Sequence, residues 1–372
     1  MLIGVPKEIK NHEYRVGLTP ESVKELAQDG NSILVEAGAG LGIGADDAAY
    51  RASGAEIIAT AAEIFERAEM IIKVKEPQAG ERAMLKPGQI LYTYLHLAPD
   101  LEQTKDLMTS GAVCIAYETI TDDGGDLPLL KPMSQVAGRL AIQAGAAALQ
   151  KNAGGCGVLL GGVPGVAPGK VIVIGGGDVG FNAAQMAVGM QADVTILERS
   201  NEVMERLSYY FGSSAKVVRS SPAVLENLLK SADMVVGAVL IPGAAAPKIV
   251  TREMLSTMKK GSVLVDVAID QGGCFETSKP TTHEHPTYEV DGVIHYCVAN
   301  MPGAVSNTST YALNAATLHY AKAIARMGWK EALRVYPHLR NGLNVCDGKI
   351  THSEVAEAHG LDSVGPDSFL VS

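Results

Sequence analysis

The 372-residue chain lacks several features, and each absence narrows its class. No apolar run approaches the roughly 20 residues needed to cross a bilayer. Lys7, Glu8 and Lys10 charge the start of the chain, where a secretory signal would be apolar. Lysine and arginine form no clusters and the net charge is -10, so neither nucleic acid nor an anionic membrane is an expected partner. Cysteine is sparse: Cys114, Cys156, Cys274, Cys297 and Cys346 are odd in number, widely spaced and contain no Cys-x-x-Cys pair. Such thiols are expected to be reduced, in a cytoplasmic protein.

What is present is a well-packed globular composition, 47% hydrophobic and 19% charged, in a chain long enough for two domains. Apolar runs alternate with amphipathic stretches. Strands are expected at residues 2–5, 32–36, 70–75, 90–97 and 113–118, then at 171–174, 193–197, 216–218, 234–239, 262–269 and 293–299. Most are continuously apolar, as parallel strands covered on both faces should be. Residues 20–29 carry helix punctuation: Thr19 to cap, Pro20 in the first turn and Gly30 to stop. This pattern predicts an α/β fold. An alanine-rich helix is expected at 133–152, with Ala137, Ala141, Gly145 and Ala148 as a small-residue seam, and a second long helix at 308–327. A Gly- and Pro-rich stretch, 154–170, reads as a mobile connection. The economical arrangement is a first domain of residues 1–129 plus 306–372 and an inserted second domain of residues 130–305. Two long helices would join them, with a cleft between the domains for a small substrate.

The most informative stretch is Val171-Ile-Val-Ile-Gly175-Gly-Gly177-Asp-Val-Gly180. A Gly-x-Gly-x-x-Gly string alone is weak evidence, and a ligand-free tight turn is its ordinary alternative. Here it follows an apolar strand, opens a helical stretch, and precedes a second strand that ends in Glu198, 18 residues past Gly180. That context suits a dinucleotide. Glycines and a helix N-terminus admit a pyrophosphate, and an acid holds the adenosine ribose.

Other candidates sit where strands end. His96 closes 91–96 and would share a face with Tyr92 and Tyr94, placing a proton-transfer group at a carboxyl edge. Asp270 closes 263–270 in the same way, whereas Asp266 reads as a buried structural acid. Arg15, in the loop Asn11-His-Glu-Tyr-Arg-Val-Gly17, and Lys73 and Lys75, on one expected strand face, would suit a carboxylate. A solvated edge is the alternative for the lysines. His283 and His285 near Cys274 lack a fourth ligand at a recognised metal spacing.

At these residues the chain closely resembles the L-alanine dehydrogenases. The matching segments are Gly4-Val-Pro-Lys-Glu-Ile-Lys10, Asn11 to Pro20, Ile72-Lys-Val-Lys-Glu-Pro77, Tyr94-Leu-His96-Leu-Ala98 and Pro132-Met-Ser-Gln135. They continue with Val239-Leu-Ile-Pro-Gly-Ala244, Val265 to Gly273, and Val298-Ala-Asn-Met-Pro-Gly-Ala-Val305. The resemblance implies two doubly wound, Rossmann-like domains with mostly parallel sheets, the first binding substrate and the second NAD. It implies reversible conversion of L-alanine, NAD and water into pyruvate, ammonium and NADH, by a homohexamer. By the same resemblance Arg15 and Lys75 bind substrate, His96 is the general acid/base, and Asp270 manages water and ammonia. Ser134, Gly175, Gly177, Asp178, Val179, Gly180, Glu198, Ser220, Val239, Leu240, Asp270, Asn300 and Met301 would line the cofactor.

The chain departs from the family at Glu198, where aspartate is usual and Arg199 follows here, and at Ser306-Asn307, where the family usually has proline and a basic residue. Glu198 still favours NAD over NADP, because a carboxylate repels a 2′-phosphate. Competing readings are the NAD-binding part of a proton-translocating transhydrogenase, a saccharopine- or lysine-type dehydrogenase, and an inactive NAD sensor.

Overall fold

The computed structural model describes residues 1–239 and 246–370. Fifteen strands are present among them. In the first half of the chain these are β1 (Leu2–Val5), β2 (Ser32–Glu36), β3 (Ala55–Ile58), β4 (Met70–Ile72), β5 (Ile90–Thr93) and β6 (Val113–Ala116). They are followed by β7 (Lys170–Ile174), β8 (Asp193–Glu198), β9 (Ala215–Arg219), β10 (Met234–Gly237) and β11 (Val263–Asp266). The last are β12 (Thr287–Val290), β13 (Val293–Tyr296), β14 (Leu343–Cys346) and β15 (Lys349–Ile350).

The chain divides into two compact units, Met1–Met133 with Val305–Ser372, and Ser134–Ala304. Each is built on one sheet. The first sheet runs β15-β14-β6-β5-β4-β1-β2-β3, and the second β12-β13-β11-β10-β7-β8-β9. All pairings are parallel except those of β14 with β6 and β15, and of β12 with β13. Within each sheet six strands follow the doubly wound order, in which β3-β2-β1-β4-β5-β6 parallels β9-β8-β7-β10-β11-β13. The expected α/β fold with two mostly parallel sheets is therefore present. Its physical origin is visible in β4, β5, β6, β10 and β11, where every residue is buried. Strands covered on both faces need no polar alternation.

Several boundaries differ from the sequence expectation. β4 stops at Ile72, so Lys73 and Lys75 do not share a strand face. Lys73 is instead fully buried, with its ammonium bonded to Glu8 at 2.9 Å and Glu81 at 2.8 Å. β5 stops at Thr93 and β11 at Asp266, which leaves His96 and Asp270 on the turns that follow. The strands β3, β12, β14 and β15 lie outside the expected set. β3 and β12 are four-residue edge strands with partly exposed residues, and β15 has two residues. Such segments carry little apolar signal.

Helix punctuation is as written in the sequence. Thr19 Oγ1 accepts from the Ser22 amide at 3.2 Å, Pro20 opens the helix Pro20–Gln28, and Gly30 has φ +87°. The two long helices are Lys131–Ala148 and Ser306–Met327. The chain leaves the first unit within the former and re-enters it just before the latter. All five cysteines are free, and among the described residues no helix is long and apolar enough to cross a membrane.

Candidate functional site

In the first unit the candidate residues follow adjacent strands around the point where strand order reverses, β1 beside β4. Arg15 lies beyond β1, Lys75 beyond β4 and His96 beyond β5. In open α/β sheets ligands bind beyond the carboxyl ends of strands at such a switch point.

Each of the three is held by further residues. The Arg15 loop packs onto the end of β4, where a Cβ on Gly17 would lie 2.5 Å from the Ile72 carbonyl oxygen. Two side chains of the helix Ser306–Met327 pin the same loop. Asn314 Oδ1 accepts from the Thr19 amide at 2.9 Å, and Thr310 Oγ1 from the Val16 amide at 3.4 Å. Arg15 itself is buried, and its Nε and Nη2 both donate to the Glu13 carboxylate at 2.6 Å. This bidentate pair fixes the plane of the guanidinium.

Lys75 is half-buried on an irregular segment. Glu8 Oε1 accepts from the Val74 amide at 2.6 Å and the Lys75 amide at 3.3 Å, while Thr93 Oγ1 donates to the Lys75 carbonyl at 3.1 Å. Glu8 also holds Lys73, and burial, which opposes the Lys73 charge, is outweighed by Glu8 and Glu81, so the ammonium stays charged.

His96 is exposed and has φ +51°, a left-handed conformation uncommon for a residue with a Cβ. Its ring stacks on Tyr94 at 5.8 Å between centroids and 12° between planes, rather than Tyr92 and Tyr94 both flanking it from a strand face. The Tyr94 hydroxyl donates to the Leu129 carbonyl at 2.5 Å, which anchors the stack. Glu118, beyond β6, accepts from both the Leu95 and His96 amides.

In the second unit the same positional logic holds across six strands. Gly175 to Gly180 follow β7, Ser220 follows β9, Val239 follows β10, Asp270 follows β11 and Asn300 follows β13, while Glu198 is the last residue of β8. Gly175 has φ +98°, and a Cβ on Gly180 would lie 1.8 Å from the Gly175 carbonyl oxygen, so helix and strand approach only because both are glycine. A Cβ on Gly177 would meet nothing within 4 Å, which leaves open space over the N-terminus of the helix Asp178–Gly189. Glycines that close a tight turn beside an open helix N-terminus fit a pyrophosphate.

Glu198 Oε2 accepts from the Gly176 amide at 2.7 Å, and Oε1 from the Arg199 and Ser200 amides at 2.6 and 3.0 Å. A carboxylate offers about four lone-pair positions, so one position remains for a ribose hydroxyl. The Ser220 amide donates to the Glu198 carbonyl at 2.8 Å.

Asp270 is exposed on the short 3-10 turn Val267–Gln271. Asp266 shapes that turn, accepting from the amides of Ala268, Cys274 and Phe275 and from the Ser278 hydroxyl. Burial raises its pKa against the opposing bonds from Ser278, Phe275 and Cys274. Asn300 has φ +58°, and Met301 is buried at the start of the turn Met301–Val305. Ser134 is the first residue of this unit. Leu240, with the rest of 240–245, lies outside the described residues.

Sequence reasoning passed over Glu8, Glu13 and Glu118. Glu118 ends an expected strand, so the positional argument used for His96 and Asp270 would have found it. Ser306 and Asn307, the departure from the family pattern, donate to the carbonyls of Gly42 and Ile43 and start the long helix of the first unit.

Comparison with known proteins gives one answer over the whole length. Residues 4–137 match the family model described as the alanine dehydrogenase/PNT N-terminal domain, and residues 141–353 match that of the C-terminal domain. An alanine dehydrogenase of Halomonas elongata is 59% identical over 370 residues, with 100% of each chain covered. A solved structure of L-alanine dehydrogenase superposes with a TM-score of 0.94 at 49% identity, covering 97% of this chain and 99% of that one. The crystal structure of a transhydrogenase from Sinorhizobium meliloti gives 0.81 at 26% identity, covering 95% and 99%. The chain belongs to the alanine dehydrogenase/PNT family.

Proposed function

We propose that this chain is an alanine dehydrogenase, catalysing the reversible reaction of L-alanine, NAD and water to pyruvate, ammonium, NADH and a proton. The observation that carries the proposal is the end-to-end identity of 59% to a relative of that name. The first unit is the substrate domain and the second the NAD domain.

A nicotinamide dinucleotide held by the second unit would supply the acceptor for hydride from the substrate Cα. The chain's own residues do the rest. Arg15 and Lys75 bind the substrate carboxylate and its carbonyl or amine end, fixing the Cα for reaction. His96 takes a proton from the water oxygen that adds to the substrate carbon and gives one to the departing nitrogen. Asp270 orients water and ammonia through the carbinolamine step. Gly175, Gly177, Asp178, Val179 and Gly180 cradle the pyrophosphate, and Glu198 bonds the ribose. Ser134, Ser220, Val239, Leu240, Asn300 and Met301 complete the cofactor's surroundings. The carboxylate of Glu198 supports NAD over NADP. The protein is assigned to the cytoplasm as a homohexamer, an assembly that light scattering on the purified protein checks.

The transhydrogenase likeness supplies the second reading, NAD binding without substrate chemistry. One assay separates the two. NADH absorbance should fall only when pyruvate and ammonium are both present, with glyoxylate and longer keto acids as comparison substrates. NADH binding without turnover on any of them would favour the second reading.

A further inference from the structure

We infer that Glu118 is a positioning residue for His96, holding the imidazole through the backbone and not by touching it. The inference rests on the proposed role of His96 in proton transfer. Three observations carry it. First, His96 sits at φ +51°, a conformation that L side chains adopt only where the surroundings over-determine it. Second, the Glu118 carboxylate supplies that determination. Its Oε1 accepts from the Leu95 amide at 3.0 Å and the His96 amide at 2.6 Å, and Oε2 lies 3.2 Å from the Leu95 amide. Charge-assisted bonds to two consecutive amides clamp the turn. Third, Glu118 follows Tyr117, whose ring packs edge-on against Tyr94 at 5.1 Å, and Tyr94 in turn stacks on the His96 ring. One short segment, Tyr117-Glu118, thus fixes both the peptide and the ring-stacking partner of His96.

The turn is specified by an acceptor at the Oε1 position, and the carboxylate charge strengthens its bonds. A glutamine whose amide oxygen replaces Oε1 can still accept from both amides. An alanine cannot, and an aspartate draws the acceptor back by one methylene. Relaxation of φ at His96 moves the imidazole, and a misplacement of about 1 Å costs a proton-transfer step on the order of 100-fold.

The test uses full-length enzyme with pyruvate, ammonium and NADH. Glu118→Ala should lower kcat by about 30- to 100-fold, leaving KM for pyruvate and NADH binding by fluorescence close to wild type, with a modest fall in melting temperature from the two amides left without their acceptor. Glu118→Gln should recover most of the loss. Should Glu118→Ala fail to fold, Glu118→Asp replaces it and should fall well below Glu118→Gln in kcat. Equal kcat in Glu118→Ala and wild type overturns the inference, as does Glu118→Gln performing no better than Glu118→Ala or Glu118→Asp. His96→Ala separates the two levels. Near-normal turnover in that variant brings down the role of His96 itself, whereas an inactive His96→Ala beside a fully active Glu118→Ala brings down only the role of Glu118.

Discussion

Lys73 shows how misleading a residue type can be without its surroundings. As a strand-edge lysine it suggests a carboxylate-binding surface, yet it is fully buried between Glu8 and Glu81. A buried ammonium with two carboxylates is retained because removing it strands two charges. Lys73→Met should therefore destabilise the fold by about 3–5 kcal/mol, read by chemical denaturation, and a loss under 1 kcal/mol would contradict the assignment. Lys75, two residues on, is only half-buried, and Glu8 and Thr93 bond its backbone. Two glycines make a second residue-scale contrast. Gly180→Ala forces a Cβ to 1.8 Å from a carbonyl oxygen and should disrupt the second unit. Gly177→Ala meets no atom within 4 Å. Its melting temperature should stay at the wild-type value while NADH binding weakens at least tenfold. Unchanged NADH affinity would place the pyrophosphate elsewhere.

At the scale of elements, the apolar centres of β1, β2 and β6 announced their strands because strands buried on both faces carry few polar positions to confuse the reading. The ends of strands were less legible. Lys73, Tyr94 to His96, and Val267 to Asp270 continue the apolar or alternating pattern, but side-chain and turn bonding from Glu8, Glu118 and Asp266 redirects the backbone. Two of these partners are distant in sequence, Glu8 by 66 residues from Val74 and Glu118 by 22 from His96, and no local window contains them, whereas Asp266 is local to its turn. Edge strands β3, β12 and β15 escaped for the opposite reason, since too few of their residues are buried. The carboxyl-end rule survived these errors: Lys75, His96 and Asp270 lie just past β4, β5 and β11 even though the strands end earlier than the sequence suggests.

For the whole molecule, the buried His295 and the half-buried His352 are expected to give the fold an acid limb. Burial lowers the pKa of both His295 and His352 from the ordinary 6.5. The unfolded chain therefore binds their protons first as pH falls, so the stabilisation they provide is complete above about 6.5 and is lost toward the lower folded-state values. Asp266, raised by burial, acts in the opposite sense, because its contribution is lost as pH rises through its folded-state pKa. The histidine part is isolated by comparison. The loss of unfolding free energy between pH 7.5 and 5.5 should be smaller in His295→Gln than in wild type, and identical slopes would assign the acid limb to other groups.

The account as a whole rests on an imidazole beyond β5 acting on a substrate that a dinucleotide-binding unit oxidises or reduces. The most direct measurement is the steady-state turnover of His96→Ala with pyruvate, ammonium and NADH, beside its NADH affinity. The account predicts turnover reduced by at least about 100-fold, the lower range for a positioned acid/base, with NADH bound as tightly as in wild type. Turnover near the wild-type rate with intact NADH binding would contradict it.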